Sequence, residues 1–518
     1  MSLEPFRLTD FSGGLNDVDP PLRLGPTEHT WNSHDLEIDG TRGVLMARRG
    51  LARYTPSLAL PVISDSTYRV TNMRTYRRAN GPGDLLIMCN DRAAVWRQDP
   101  NAAANTTTVV QAGLVGSGGE YDFIQASDSV GQEYVWALNG FTAPAKMQVD
   151  TSAWSGWAGS PPNGKMARVW KNRMIIAGVP GQAARLYYST IANPESWPAN
   201  NFIDIKSTDD EQEPITAIEV IGESLLVFKA SSVWLVFDPV SFDNRRIADI
   251  GCVGRLATAR SVADPSEKVY FVARTGVYST DGDDVKHESK MIDRRFNSSE
   301  LLHAEYFQAY REKTNLRMLN DGKLYLYNFV AWGTYSFGII LYMDTKLSRP
   351  DGQHPWFKHT NAMSGITTMV SGYFRDHDIN SFEVSGTKGI LDTDGASGPQ
   401  YFADLLRDDR WNDTWISLDD IEVSGYWESG FLEIHPNTEK MERVRRVNIH
   451  GDQGTVSATL QGDEDTIVSS GTKNLDVLSR FVRFRPESRG RFFQMTMDLR
   501  QGAHVMEVEM MVRGGKEH

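Results

Sequence analysis

RLYYSTIANPESWPANNFIDI (residues 185–205), ITAIEVIGESLLVFKASSVWLVFD (215–238) and KVYFVARTGVYSTDG (268–282) decide the fold. The last two repeat one design, a β-branched and aromatic run, a tight turn, and a second run that returns. Leu225 to Phe228 lead into a turn at 229–232 and Val233 to Phe237 come back; Val269 to Val272, a turn at 273–276, and Val277 to Ser279 repeat it. Short apolar runs without alternation, bounded by turn residues, fit strands covered on both faces better than helices. A repeated hairpin is an architectural signal and directs a search for further copies.

Working outward, the hairpin recurs at 84–99 (DLLIMCNDRAAVWRQD), 133–150, 171–190, 322–344 and, more weakly, 387–395 (TKGILDTDG). Centres lie about 40 to 55 residues apart, the spacing of four-stranded propeller blades. The spacing is irregular and carries no Trp-Asp signature, so a set of packed sandwiches is the alternative. The expected fold class is mainly β: an irregular β-propeller-like body at 61–420, an extended N-terminal arm at 1–60 and a C-terminal antiparallel β-sandwich domain at 421–518. One helix is expected, over 293–313, with Leu301, Leu302, Ala304 and Phe307 on a shared face.

The arm owes its boundaries to Gly13, Gly14, Pro20, Pro21, Gly25, Pro26, Gly40, Gly43 and Gly50, which cut any regular element into short pieces. Only 34–38 and 44–46 read as strands, so the arm needs a support, either its own chain's body or a neighbouring subunit. The stretch 404–420, rich in Asp and Trp, marks a break. Beyond it the pattern changes to strict alternation: Val456, Ala458 and Leu460; Phe493, Met495, Met497 and Leu499; Met506, Val508, Met510 and Val512. Period-two strands with one wet face suit a small two-sheet unit.

Composition sets limits. At 518 residues the chain exceeds one ordinary core, and 40% hydrophobic with 10% aromatic residues excludes wholesale disorder. Against 67 Asp and Glu stand 54 Lys and Arg, a net charge of -13, which opposes a tight grip on nucleic-acid phosphates but not passage of DNA along a surface. Cys89 and Cys252 read as reduced, buried thiols rather than a disulfide or metal pair. No secretory signal is expected in MSLEPFRLTDFSGG, and the best apolar run, GIILYM at 338–343, is strand-sized, so no membrane insertion is expected.

Candidate chemistry is thin. Asp376, His377 and Asp378 are adjacent, so at most two can face one ion, and a solvated turn is the stronger reading. His354 and His359 flank Pro355, Trp356 and Phe357 and read as polar loop or strand-end groups rather than a zinc pair. Asp281, Asp283 and Asp284 lack the remaining ligands of a calcium loop. SGTKG (385–389) and SSGTK (469–473) resemble pieces of a phosphate loop without the helix that such a loop needs. The arginines 443, 445, 446, 480, 483, 485, 489 and 491, interleaved with Phe481, Phe484, Phe492 and Phe493, suit a nucleic-acid groove or a subunit interface. Glu439, Glu442, Asp463, Glu464, Asp465 and Glu487 among them favour a solvated or subunit-facing surface. No catalytic, cofactor-binding or metal-binding residue is expected.

A set of segments carries a resemblance. FSGGLN (11–16), Asn32, MARRGLARY (46–54), ALNGFTAPAKMQVD (137–150), RVWKNRMIIAG (168–178), YYSTIANPESWP (187–198), LLVFKASSVWLV (225–236) and VARTGVYSTDG (272–282), in that order, resemble the tail nozzle or hub proteins of short-tailed bacteriophages, also called packaged-DNA stabilisation proteins. The arm departs from that pattern by lacking a Pro between Arg49 and Gly50, and residues beyond 421 match only in general character. The resemblance implies a non-enzymatic virion protein, made in the host cytoplasm, forming a homohexameric ring below the portal and adaptor. It implies contacts with tail fibres or spikes, and a lumen through which genomic DNA passes without sequence-specific binding. On this reading the lumen is lined by Asp, Glu and neutral polar groups, and loss of residues 1–50 leaves a folded monomer that cannot form rings. The alternatives from other classes are a polysaccharide-acting propeller glycosidase or lyase, and a fibre or receptor attachment module.

Overall fold

Each hairpin found in the sequence is part of a four-stranded antiparallel sheet. The computed structural model describes residues 4–39, 43–48, 52–53, 70–76, 84–89, 93–97, 106–111, 121–206, 213–238, 243–261, 267–297, 314–318, 322–332, 335–349, 351–359, 366–372, 388–393, 402–404, 412–413, 421–422, 425–433, 442–451, 454–462, 468–474, 481–484, 489–490, 492–500 and 503–514. Among them seven such sheets follow one another, here numbered I to VII. Sheet IV runs Ile215–Ile221, Ser224–Lys229, Val233–Val236 and Asn244–Ala248; sheet V runs Thr258–Ser261, Lys268–Ala273, Gly276–Thr280 and Val285–His287. The two middle strands of each are buried almost throughout, because both faces are covered by neighbouring sheets. That is why they read as unbroken apolar runs. Their fourth strands are short and partly exposed, which limits edge-to-edge pairing with other chains.

Sheet I spans 70–111, sheet II 122–156, sheet III 166–204 and sheet VI 314–359. Sheet VII joins Ile366–Gly372, Lys388–Thr393 and Phe402–Asp404 to a fourth strand, Ala52–Arg53, from the far end of the sequence. The weak copy at 387–395 is therefore one strand, not a hairpin; its partners are 366–372 and 402–404. First strands of sheets II through VII lie against one another in succession, and that of VII lies against that of I. Sheets I and II share a core built on Tyr76, Leu86, Phe123, Val135 and Met147.

Beyond the seven sheets, a five-stranded sheet (Gly425–Glu428, Leu432–Glu433, Phe492–Arg500, Thr455–Gly462, Val468–Asn474) and a seven-stranded sheet share one core. The alternating residues point into it: Val456, Ala458, Leu460, Phe493, Met495, Met497 and Leu499 are all buried. One position departs from the pattern. Met506 is exposed and Val505 is buried, because a bulge opposite His450 and Gly451 shifts the phase of the strand His504–Gly514.

The arm is part of this second unit. Glu4–Leu8, Leu36–Asp39 and Val44–Ala47 are strands of the seven-stranded sheet, and Leu8, Phe11, Leu36, Ile38, Leu45 and Ala47 enter its core. The arm thus lies on its own chain, one of the two supports open to it. Glycine and proline shorten its strands without preventing burial. The helix expected over 293–313 begins as a single turn, Arg294–Asn297, after a 3-10 turn at Lys290–Ile292; residues 298–313 lie outside the described residues.

Candidate functional site: the seam beneath the arm

Between Phe11 and Arg48 the arm is laid across the outer strand of sheet VI, Trp356–His359, and across Gly425–Glu428 of the five-stranded sheet. Backbone bonds fix the path. Asp35 N–H donates to the Lys358 carbonyl at 2.8 Å; His34 and Tyr426 exchange bonds at 2.8 and 2.9 Å; Thr30 N–H reaches the Glu428 carbonyl at 3.0 Å. Phe431 N–H donates to the Pro21 carbonyl at 2.7 Å and Asp17 N–H to the Met291 carbonyl at 2.8 Å. The arm thereby covers the unpaired edge of sheet VI, an otherwise exposed template for another strand.

Charge reinforces the path. Arg48 and Asp35 pair at 2.7 Å with both side chains only 2% exposed. Arg295 pairs with Asp17 at 2.7 Å, Lys323 with Glu37 at 3.5 Å, and Arg349 pairs with Glu28 and donates to the Gly13 carbonyl. Trp31 lies between Arg295, 3.6 Å from its ring centre, and Lys358 at 4.6 Å, and its carbonyl accepts from the Lys358 ammonium. Burial, with Arg295 close by, pushes Lys358 down to about 8. Burial likewise raises the Asp17 carboxyl above its usual range, against the pull of Arg295. Two buried imidazoles complete the seam: burial lowers His29 to about 4 and His359 to about 3.

Gly13 and Gly14 set how closely the arm docks. Gly14 has φ +70, and a Cβ there would stand 2.7 Å from the Pro355 Cβ and 2.9 Å from the Trp356 backbone. At Gly13 a Cβ would meet the Thr27 carbonyl oxygen at 2.4 Å. Gly14→Ala is expected to cost about 2–3 kcal/mol, from the left-handed backbone and from overlap that the arm relieves only by lifting. Chemical denaturation measures it, with Gly25→Ala as the control, whose Cβ meets nothing closer than 3.7 Å and should stay within about 0.5 kcal/mol.

A scan of known protein families finds no match to this chain, and a comparison with curated proteins finds no relative.

Among the described residues, the candidates singled out in the sequence do not converge. His354 Nδ1 lies 2.7 Å from the Leu347 carbonyl, whereas His359 is buried against Tyr325 and Tyr342, so the two are held apart. Asp281 Oδ1 accepts the N–H groups of Asp283 and Asp284 at 3.0 and 3.2 Å; these bonds hold its carboxyl below the usual range and make the trio a capped turn. Residues 469–473 lie within the strand Val468–Asn474. Among the arginines, Arg483 Nε donates to the Asn448 side chain at 3.2 Å, while Arg443 and Arg489 face each other across two strands. Asp376, His377, Asp378, the start of SGTKG at 385–387, Arg480, Arg485 and Arg491 lie outside the described residues. Among those described, no three metal-ligating side chains gather. Cys252 is free and buried, and burial pushes its thiol up to about 12, which leaves it unreactive.

Two constellations escape sequence reasoning. His287, Ser289 and Asp293 mimic a nucleophile triad in composition. Yet Ser289 Oγ (3.2 Å) and Asp293 Oδ1 (3.0 Å) address the same nitrogen, Nε2, so no relay from acid through imidazole to hydroxyl exists. Ser289 is fully buried and accepts the Val277 N–H, which makes the group a latch on the turn of sheet V. The second is a polar chain through four first strands. Asp122 of sheet II meets Arg168 of sheet III at 2.9 Å, Arg168 meets Glu219 of sheet IV at 2.6 Å, and Glu219 accepts from Thr258 of sheet V at 2.9 Å. Burial opposes the Arg168 charge, and Glu219 and Asp122 outweigh it, raising the guanidinium further above its ordinary value.

Proposed function

We propose that the chain is a structural protein of a short-tailed phage tail, a nozzle or hub that assembles as a ring below the portal and adaptor and continues the DNA channel. One observation carries this reading: the resemblance segments, met in order, supply the middle strands of the sheets and, in four cases, joints between parts of the fold. FSGGLN begins the docked part of the arm, and MARRGLARY runs from the seven-stranded sheet into the fourth strand of sheet VII. Asn139 of ALNGFTAPAKMQVD caps its own turn through the N–H groups of Phe141 and Thr142, and Lys146 bonds Glu195 of YYSTIANPESWP at 2.7 Å across sheets II and III. On the same reading the seven sheets are the blades of a propeller closed by Ala52–Arg53, and the last two sheets form a sandwich. The net charge of -13 suits a lumen along which DNA slides without sticking.

The full-length protein is expected to form closed rings, with sixfold symmetry in negative-stain electron micrographs and a matching mass by light scattering. It should leave host surface polysaccharide uncut. A protein that stays monomeric at micromolar concentration, with and without an adaptor, and that releases sugars from that polysaccharide would establish the glycosidase or lyase instead.

A further inference from the structure

Two histidines occupy the seam, one from each side. His29 of the arm is wholly buried between Phe357 of sheet VI and Trp427 of the five-stranded sheet, with ring centres 6.0 and 6.1 Å apart. His359 ends the outer strand of sheet VI, 2% exposed and edge-on to Tyr342 at 4.7 Å. Neither ring has a nitrogen in a hydrogen bond of ordinary geometry. We propose that the arm is an acid-released strap: uptake of a proton by His29 frees residues 10–35 from the body and uncovers the edge of sheet VI.

An imidazolium needs two acceptors and a counter-charge, and the seam supplies neither in full. Around His29, Asp10 and the Phe11 backbone favour the proton and Arg349 opposes it. Around His359, Asp35 and Glu37 favour it, but they are already paired with Arg48 and Lys323, the two cations that oppose it. Burial outweighs the favourable groups at both sites, so the docked arm holds both rings neutral, down to about 4 for His29 and about 3 for His359. Once residues 10–35 lift, His29 meets water and regains its ordinary value near 6.5, whereas His359 stays against Tyr325 and Tyr342 of its own sheet and beside Glu37 and Arg48. With the docked value of His29 depressed, docking is fully favoured above about pH 6.5 and weakens as pH falls from there towards 4. Between pH 7 and pH 5 His29 raises the fraction undocked about 20-fold. The change is local, because Phe11, Leu15 and Leu24 are the buried aliphatic or aromatic side chains of residues 10–35, whereas the middle strands of sheets IV and V are closed on both faces.

Hydrogen exchange by mass spectrometry on the full-length protein, corrected for the intrinsic pH dependence of exchange, tests this. Peptides within 10–35 should lose protection by about 20-fold between pH 7 and pH 5, while those covering 224–236 and 268–280 keep theirs. H29L should remove nearly all of that loss, and H359L, whose ring the strap does not uncover, should leave it in place. An H29L variant that still loses arm protection at pH 5 would place the effect on the carboxylates and overturn the proposal. If H29L fails to fold, the wild-type comparison decides alone: uniform loss over arm and sheets defeats it.

Discussion

Removal of residues 1–48 is expected to leave a chain whose last 90 or so residues do not hold a stable fold, rather than a folded monomer that merely fails to assemble. The arm adds three strands to the seven-stranded sheet and sends Leu8, Phe11, Leu36, Ile38 and Leu45 into the shared core. At about 1.5–3 kcal/mol for each large apolar side chain, these alone are worth about 7–15 kcal/mol, as much as the net stability of a whole domain. The truncated protein should show a thermal transition reduced in amplitude, with rapid proteolysis over 442–514 and slower cleavage within 224–280. A truncated chain that melts at the full-length temperature with 442–514 protected would contradict it. This revises the expectation drawn from the sequence that a chain without residues 1–50 remains a folded monomer.

Arg168→Met should destabilise the protein by about 3–5 kcal/mol, the cost of leaving two carboxylates without their shared cation in a largely buried position. Asp122 and Glu219 then face each other across sheets II to IV, helped by the Phe123 and Ala167 N–H groups and the Thr258 hydroxyl but by no cation in place of Arg168. The triple variant with Asp122→Asn and Glu219→Gln should recover more than half of that loss, since it removes the uncompensated charge instead of exposing it. Equilibrium unfolding in urea measures both. Equal losses for the single and triple variants would mean that the guanidinium stem, not its charge, holds the sheets together.

The hairpins were legible because the middle strands of each sheet are covered on both faces, and Leu225 to Phe228 or Val269 to Val272 then have no polar alternative. Fourth strands were not, for the opposite reason. Asn244–Ala248 carries two exposed arginines and Val285–His287 a solvated lysine, so neither has an apolar signature. The strand Glu4–Leu8 was hidden by Pro5, which speaks against a strand wherever its partner is unknown. That partner is Val508 to Val512. The seam and the ion chain were unreadable alike: Asp17, Glu28, Arg168 and Glu219 look like ordinary surface charges, and only tertiary contact shows that each meets its complement. A usable signal existed at Gly13 and Gly14, where paired glycines next to Leu15 imply close approach of backbone to another surface.

The pairing of the two ends of the chain has a consequence for synthesis. Arg7 finds Glu509 across 502 positions, so the central strand of that sheet, His504–Gly514, is translated long after the arm. At about 5–20 residues per second, the newborn arm waits on the order of a minute with its strand edges bare. Sheets I to VI can close meanwhile, each from contiguous segments, but sheet VII draws its fourth strand from beside that waiting arm. The final closure is thus a late and slow step, and an opportunity for chaperones or for mispairing between nascent neighbours on one polysome.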